Sequence, residues 1–210
     1  MSELLKKLNW RYATKKFDPS KIISADDLEE LVSVMNLAPS SYGLQPYEIL
    51  VIKNEKIRKQ LREVSWNQSQ ITDASHLIVI CNRTNLAEKD VDDFLENISR
   101  TRNIPLEGLA NYAAMMKNTV NSTPPDQLSV WTSRQTYIVL GTLLTACAVK
   151  DIDACPMEGF DKAGYDKILN LSSRGLEAAV IAAVGYRSED DSYQHLKKVR
   201  KNKDDLITYI

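Results

Sequence analysis

The residues of this chain that could bind a charged ligand lie mainly near its two ends. Near the start, Arg11 and Lys15 are four positions apart in the segment RYATKKF. Residues four apart share one side of a helical turn, and in an extended segment they share one face. Both cations could therefore approach a single anion, for which a phosphate is the natural candidate. This heptapeptide alone, however, favours the simpler interpretation of a solvated basic patch.

A second basic run lies near the end of the chain. Residues 197–201 read KKVRK, and only Val199 among them is not basic. Such a run is usually a solvated face or a patch that binds polyanions. It gains interest here because Lys198 and Arg200 could converge with Arg11.

Three polar loops could contribute further contacts to a small ligand. Ser40 and Ser41 follow the helix-breaking Pro39 and precede a predicted strand, and a loop at a strand end is a common binding place in α/β proteins. By default such serines are turn formers. Asn67 and Gln70 carry amides that suit the edge of a heterocycle, although a capping or surface role is about equally expected.

The third polar loop, PMEGF at residues 156–160, stands between a predicted strand and a predicted helix. Glu158 and Gly159 would place backbone N–H groups at a helix entry, where they could meet an electron-rich atom. An ordinary strand-to-helix loop is the alternative.

Several kinds of catalytic site find no support in the sequence. His76, at the start of an apolar strand, and His195, in a polar segment, are the only histidines, and they build neither a catalytic triad nor a metal site. No glycine-rich nucleotide fingerprint is present. If the chain is an enzyme, a bound organic cofactor is expected to carry the chemistry.

Composition indicates a globular protein whose net charge is too small to attract charged partners over its whole surface. The chain is 43% apolar and 26% charged, and its 27 basic and 28 acidic residues nearly cancel, so neither nucleic acid nor membrane is an expected partner. Cys81, Cys147 and Cys155 are widely spaced and predict reduced core thiols. With no signal-peptide pattern, and with an apolar run of only 13 residues at 137–149, we expect a cytoplasmic protein.

The spacing of apolar residues predicts the helices and strands that must position these residues. A helix that starts at Ser24 and is broken by Pro39 has a buried stripe of Leu28, Leu31, Val32 and Met35. Strands are predicted at residues 47–53, 76–82, 153–156 and 176–184, and helices at 55–64 and 161–170. Two helices separated by a loop are expected within residues 86–121. A long helix at 125–149 is apolar on nearly every side, so we expect burial, partly by another subunit. The apolar, β-prone tail 206–210 should dock somewhere.

Taken in order, these motifs resemble the nitroreductase family, the FMN-dependent NAD(P)H oxidoreductases that include oxygen-insensitive nitroreductases and flavin reductases. The resemblance rests on RYATKKFD at 11–18, APSSYGLQPY at 38–47 and NQSQITDASH at 67–76. It continues with PMEGFD at 156–161, AAVGY at 182–186 and KVR at 198–200. Each motif is weak alone, but together they cover nearly the whole chain.

The resemblance implies a set of FMN-binding residues. Arg11, Lys198 and Arg200 would hold the phosphate, and Lys15 would reach the pyrimidine edge of the flavin. The remaining implied contacts are Tyr12, Ala13, Thr14, Ser40, Ser41, Asn67, Gln70, Pro156, Met157, Glu158 and Gly159. Ser40 and Ser41 would contact the flavin of a partner subunit, and the turn at Glu158 and Gly159 would approach flavin N5. No side chain would act as nucleophile, and Lys15 and Glu158 would tune the flavin.

The sequence also departs from better-known members of the family. Ala13 replaces a frequent serine, Tyr12 a frequent histidine, and Gln70 a lysine found in some members. Gly43 and Leu44 replace more polar residues. These changes leave FMN binding expected, but they put the substrate range and the nicotinamide preference in doubt.

We therefore expect one α+β domain spanning residues 1–210, with a central mixed sheet flanked by helices, in an intertwined homodimer. NAD(P)H would reduce FMN in a ping-pong cycle, and nitroaromatic, quinone or flavin-type acceptors would reoxidise it. One alternative is a non-catalytic protein that binds flavin or senses redox state. Another is a flavin-fragmenting or dehalogenating enzyme of the same fold.

Overall fold

The chain forms nine helices and four β-strands in the computed structural model, which describes residues 1–210. The helices are α1 Glu3–Trp10, α2 Ala25–Asn36, α3 Glu55–Glu63, α4 Gln70–Asp73, α5 Glu88–Arg102, α6 Ala110–Ser122, α7 Pro125–Val149, α8 Lys162–Leu169 and α9 Lys203–Leu206. The strands are β1 Tyr47–Ile52, β2 His76–Arg83, β3 Asp153–Met157 and β4 Leu176–Gly185. The four predicted strands and the long predicted helix are thus confirmed within one or two residues. None of the helices is long and apolar enough to cross a membrane.

The four strands form one sheet in the order β1-β2-β4-β3, and every pair is antiparallel. This corrects the expected mixed sheet, because within the chain a parallel pairing occurs only as the isolated bridge between Ala13 and Ala154. Only Ala13 of its segment pairs with the outer edge of β3. The segment does not continue as a strand.

The core lies on both faces of this sheet. Alternate side chains of β2 point to opposite faces: Leu77 and Val79 pack toward α3, α4 and α8, whereas Ile78 and Ile80 pack toward α2 and α7. The predicted stripe of α2 is confirmed, with Leu28, Leu31 and Met35 buried and Val32 packed against them. The apolar strand predicted at 76–82 is β2, and every residue from His76 to Asn82 is buried.

A third apolar cluster packs α5 and α6 against the first turns of α7. These are the two helices expected within residues 86–121, with a 3-10 turn at Leu106–Leu109 between them. The expected β-prone tail differs, because α9 takes up its first residue and Ile207–Ile210 are exposed and form no regular element, without a strand partner in this chain.

Two bridges bring the ends of the chain together beside β3. Ala13 pairs with Ala154, and Phe17 pairs with Arg187 just after β4. Asp18 N also donates to the Tyr186 carbonyl at 2.8 Å. The basic segment near the start therefore lies next to the segment that carries the basic run near the end. The opposite edge of the sheet, along β1, has no strand partner.

Candidate functional site

A pocket of about 620 Å³ opens where the two ends of the chain meet. The last two residues of α1, residues that follow α1, residues that follow β4 and one residue of β3 line it. The lining consists of Asn9, Trp10, Arg11, Tyr12, Ala13, Lys15, Pro156, Arg187, Tyr193, Gln194, Leu196, Lys197, Lys198 and Arg200. Its size is within the range of small-molecule and cofactor sites.

Five cations of this pocket, Lys197 among them, have no carboxylate partner. Arg11, Lys15, Lys198 and Arg200 take part in none of the ion pairs, and the Arg11 guanidinium makes no hydrogen bond at all. Lys198 donates its ammonium to the Arg11 carbonyl, which holds the two ends together. Burial and the neighbouring Arg200 lower the pKa of Arg11, and burial together with Arg11 and Arg200 lowers the pKa of Lys198. Since these cations repel one another, the pocket is suited to an anion.

Asp191 is a buried residue that holds the basic segment at 11–17 in place by hydrogen bonds. This residue is 1% exposed, and its Oδ2 accepts from the Tyr12 hydroxyl at 2.9 Å and from the N–H groups of Lys15 and Lys16 at 2.7 and 3.1 Å. Burial alone would raise the pKa of this carboxyl, but the hydrogen bonds from Lys16, Lys15 and Tyr12 outweigh burial and lower it. The charge of Asp191 is therefore used inside the scaffold and does not neutralise the pocket cations.

Arg187 and Asp153 form the second internal pair. The Arg187 side chain donates to both carboxylate oxygens of Asp153, with its shortest contact at 2.5 Å, and Asp153 also accepts from the Thr14 hydroxyl at 3.4 Å. The guanidinium is stacked between the rings of Trp10 and Tyr12, at 4.2 and 4.6 Å from their centroids. This cation is thus paired and stacked, unlike the five unpaired cations of the pocket.

The turn after β3 provides two unoccupied backbone donors. Pro156 lines the pocket, and Glu158 and Gly159 follow Met157 directly. Neither Glu158 N–H nor Gly159 N–H has a hydrogen-bond acceptor in the chain, although Phe160 N–H bonds to the Glu158 carbonyl at 3.0 Å. Two adjacent free donors beside a cationic pocket can bind an electron-rich atom.

The connector between α3 and β2 packs against this turn. Gln68 donates its amide to the Gly159 carbonyl at 2.8 Å, and a Cβ on Gly159 would overlap the ring of Trp66. Trp66 and Asn67 both adopt left-handed backbone conformations, with φ of 52° and 56°, which cost energy for residues other than glycine. Arg62 stabilises the bend by donating to the Asn67 side-chain oxygen at 3.0 Å.

The loop with the two serines lies elsewhere, against α6 and α7. Ser41 N–H donates to Oε1 of Gln135 at 2.9 Å, and the Tyr112 hydroxyl donates to the Tyr42 carbonyl at 2.9 Å. Tyr42 itself has φ of 57°, which these contacts hold in place. Ser40 Oγ accepts from Gln45 N–H at 2.9 Å. No residue of this loop lines the cationic pocket.

Comparison with known proteins decides the family. The family model described as "Nitroreductase family" matches residues 8–186. This chain belongs to the nitroreductase family. A candidate NAD(P)H nitroreductase of Bacillus subtilis, YfkO, is 33% identical over 220 aligned residues, covering 100% of this chain and 98% of that protein.

Solved structures show the same fold at lower identity. The ydfN nitroreductase candidate of Bacillus subtilis has a TM-score of 0.88 at 18% identity, covering 99% of each chain. A nitroreductase candidate of Exiguobacterium sibiricum, solved in complex with FMN, has a TM-score of 0.87 at 17% identity, covering 100% of this chain and 98% of that one.

The nitroreductase chain brings together most, but not all, of the residues singled out from its sequence. Seven of them line one pocket: Arg11, Tyr12, Ala13, Lys15, Pro156, Lys198 and Arg200. Glu158 and Gly159 lie at the adjoining turn, and Asn67 and Gln70 on the connector that packs against it. Thr14 and Met157 are buried in the scaffold, and Ser40 and Ser41 lie apart. The family match ends at residue 186, so the convergence of Lys198 and Arg200 with Arg11 is a finding of the structure.

Sequence reasoning missed the residues that support the pocket from inside. Asp191, Arg187 and Asp153 were not singled out, because no spacing in the sequence marks a carboxylate that bonds to backbone N–H groups about 175 residues away. The position of Arg187, directly after the AAVGY motif, was the one available signal.

The remaining reactive residues are structural. Burial lowers the pKa of His76 to about 4, and its Nδ1 contacts the Ser75 hydroxyl at 2.9 Å, so the ring is neutral near pH 7. The three cysteines are free and buried, as predicted, and burial raises the pKa of Cys81 and of Cys147 to about 12. No group of three or more His, Cys, Asp or Glu side chains is placed to hold a metal ion.

Proposed function

We propose that this protein is an FMN-dependent NAD(P)H oxidoreductase that reduces nitroaromatic, quinone or flavin-type acceptors in a ping-pong cycle. The observation that carries the proposal is the group of five unpaired cations in a pocket of cofactor size, beside a turn with two free N–H donors. A phosphate with an aromatic, electron-rich ring attached to it suits both features. The family, and the FMN bound to the Exiguobacterium sibiricum neighbour, support the same choice.

Each part of the pocket has a separate task in this proposal. Arg11, Lys198 and Arg200 would hold the phosphate by charge-assisted hydrogen bonds, which are about twice as strong as neutral ones. The free N–H groups of Glu158 and Gly159 would bind the electron-rich edge of the ring. Asn67 and Gln70 would supply amides, and the Gln70 side chain makes no hydrogen bond inside the chain that would compete.

The bound flavin would supply the atom that accepts hydride from NAD(P)H and passes it to the second substrate. The protein needs no nucleophile, since its thiols are buried and His76 is neutral. Its contribution is to bind, orient and stabilise charge. Lys15 at the pocket mouth would stabilise negative charge on the reduced cofactor, and solvent can supply protons.

We also propose that the working form is a homodimer. The apolar side chains of Tyr137, Ile138 and Val149 on α7 are exposed, as is the whole tail Ile207–Ile210. Exposed apolar surface of this kind is typical of a protein–protein interface. The tail could pair with the free edge of β1 on a second copy. A dimer would also give the Ser40–Ser41 loop a task, because it could reach the partner's cofactor.

The dimer is tested by truncation. Removal of residues 206–210 should shift sedimentation at micromolar concentration toward the monomer and loosen FMN. A full-length protein that sediments as a folded, flavin-loaded monomer would overturn this part of the proposal.

The function itself is tested by the absorption spectrum of the purified protein and by NADH and NADPH oxidation with a quinone acceptor. We expect flavin absorption bands and acceptor-dependent oxidation of the nicotinamide. Bound flavin without turnover would favour the alternative of a flavin-storing or redox-sensing protein. A flavin that is consumed under oxygen would instead indicate a flavin-fragmenting enzyme. A protein that neither contains nor binds FMN would refute the proposal.

A further inference from the structure

The turn at Glu158 and Gly159 has two free N–H donors and also a carboxylate side chain that could accept from them. The N–H groups of both residues have no acceptor in the chain, and the Glu158 side chain is an exposed carboxylate on the same turn. Carboxylates accept strong, charge-assisted hydrogen bonds from backbone N–H groups. A Glu158 carboxylate without another partner would be free to turn toward these donors and compete for them.

Tyr137 prevents this in the structure. Its hydroxyl donates to Oε1 of Glu158 at 2.6 Å, from the middle of α7. The carboxylate has no other hydrogen bond and takes part in no ion pair. Burial and the bond to Glu158 raise the pKa of Tyr137 to about 12, so the hydroxyl remains a donor across the physiological range.

The rest of the turn is held rigidly enough for this one bond to matter. Gln68 fixes the Gly159 carbonyl at 2.8 Å, and the Trp66 ring covers the position that a Gly159 side chain would take. The backbone of the turn therefore has little freedom to move. The direction of the Glu158 side chain is its one adjustable part.

We propose that Tyr137 is a positioning residue that keeps the Glu158 carboxylate off the N–H groups of Glu158 and Gly159, so that these donors stay available to the electron-rich edge of the cofactor. The inference rests on the proposed function, because the cofactor is FMN. It assigns a task to a residue on the long central helix that the sequence did not single out. It also explains why an acidic side chain can sit next to a site for an electron-rich ring.

The test compares four FMN-loaded proteins by potentiometric titration and by FMN affinity. In Tyr137→Phe the released carboxylate should compete for the donors and add negative charge near the ring. We expect the midpoint potential to fall by about 30 mV, which corresponds to a ten-fold change in the equilibrium constant of a two-electron couple. FMN affinity should fall about three-fold. Glu158→Ala and the double variant Tyr137→Phe/Glu158→Ala should have equal potentials, because without the carboxylate the hydroxyl has nothing to restrain.

Tyr186→Phe is the matched control. The Tyr186 hydroxyl has no hydrogen-bond partner and lies outside the pocket, so its removal should leave the potential unchanged. Tyr137 is 42% exposed, and its phenylalanine variant should keep the wild-type urea midpoint.

Two results would overturn the inference while leaving the function intact. One is bound FMN with an unchanged potential in Tyr137→Phe. The other is the same shift with and without Glu158, which would mean that Tyr137 acts by direct contact or by packing. Failure of the wild-type protein to bind FMN would instead refute the proposed function.

Discussion

Two groups of arginines in this protein use their hydrogen-bond donors in opposite ways. Arg58 and Arg62 of α3 donate to the backbone and side chains of the connector at 66–75, and Arg58 is only 5% exposed. Arg11 and Arg200 line the pocket, the first half-buried and the second exposed, but the Arg11 guanidinium has no acceptor and Arg200 reaches only the carbonyl of its neighbour Val199. The first group has its donors satisfied by the chain, and the second leaves them for something else.

The difference separates a structural arginine from a binding arginine without reference to any relative. A buried guanidinium must have its donors satisfied, because each unpaired group costs its desolvation. Arg58 meets this requirement through the carbonyls of Ile71, Ala74 and Ser75, where α4 ends. Arg11 is only half-buried, so water reaches its donors, but no group of the chain accepts from them and the like charge of Arg200 lies nearby. An anion would bind these donors and offset the repulsion, which is why the pocket, and not the connector, is the candidate site.

The largest effect is expected from Arg58→Met. This change removes three hydrogen bonds and leaves three carbonyls without a donor, so the free energy of unfolding should fall by about 3 kcal/mol or more. Urea denaturation of the FMN-free protein measures the loss. Lys59→Met, at the exposed neighbouring position, should stay within about 0.5 kcal/mol of wild type. Equal stability of the two variants would show that the hydrogen bonds of Arg58 do not stabilise the fold.

Arg11→Ala should give the opposite pattern. Each charge-assisted hydrogen bond contributes roughly 1.5–3 kcal/mol, so the dissociation constant for FMN should rise by at least ten-fold. The free energy of unfolding of the FMN-free protein should change by less than about 0.5 kcal/mol, because this side chain has no partner to lose. Fluorescence titration with FMN and urea denaturation give the two values, with Arg102→Ala on the surface of α5 as control. Unchanged FMN affinity would rule out the phosphate clamp.

The comparison also marks what the sequence could predict. Strands and helices followed from apolar periodicity, because burial on a sheet or helix face leaves a repeating pattern in the residues. The meeting of Arg11 with Lys198 and Arg200 was suggested by their being basic and otherwise without partners. Residue type alone, however, could not separate Arg58 from Arg11, since α3 reads as a short charged helix in which the buried arginine looks like its exposed neighbours.

Contacts made through the fold explain the remaining differences. Asp191 and Asp153 acquire their roles only when the segment after β4 crosses the segment after α1. The tail was expected as a β-strand because Ile207 and Ile210 favour that structure. Within one chain no strand edge meets it, and its first residue closes α9 instead. Such outcomes depend on which surfaces meet, and local sequence does not record that.

Asp191→Asn tests the scaffold below the pocket, with a smaller expected effect. The folded-state pKa of Asp191 lies below the ordinary value of an aspartate, so its charge stabilises the fold above that ordinary value and this contribution is lost as the pH falls through the folded pKa. The variant should therefore lose about 1–2 kcal/mol of unfolding free energy at pH 7. The difference from wild type should shrink as the pH is lowered below 4. A difference that stays constant from pH 7 to pH 3.5 in urea denaturation would mean that shape, not charge, matters at this position.

The smallest effect is expected at Lys15. This residue is an unpaired cation like Arg11, but it lies at the exposed mouth of the pocket, where solvent screens its charge. A unit charge about 4 Å away interacts by about 4 kcal/mol at an effective dielectric near 20, before solvent screening reduces it. If a quarter remains, Lys15 stabilises the reduced cofactor over the oxidised one by about 1 kcal/mol, or roughly 20 mV for a two-electron couple. Lys15→Met should lower the flavin midpoint potential by that amount and slow reduction by NAD(P)H, while costing less FMN affinity than Arg11→Ala does. Potentiometric titration and stopped-flow reduction measure both values, and Lys16→Met, whose side chain does not line the pocket, is the control. If potential and rate are the same in all three proteins while FMN stays bound, Lys15 is a solvated surface lysine and the ring does not lie beside it.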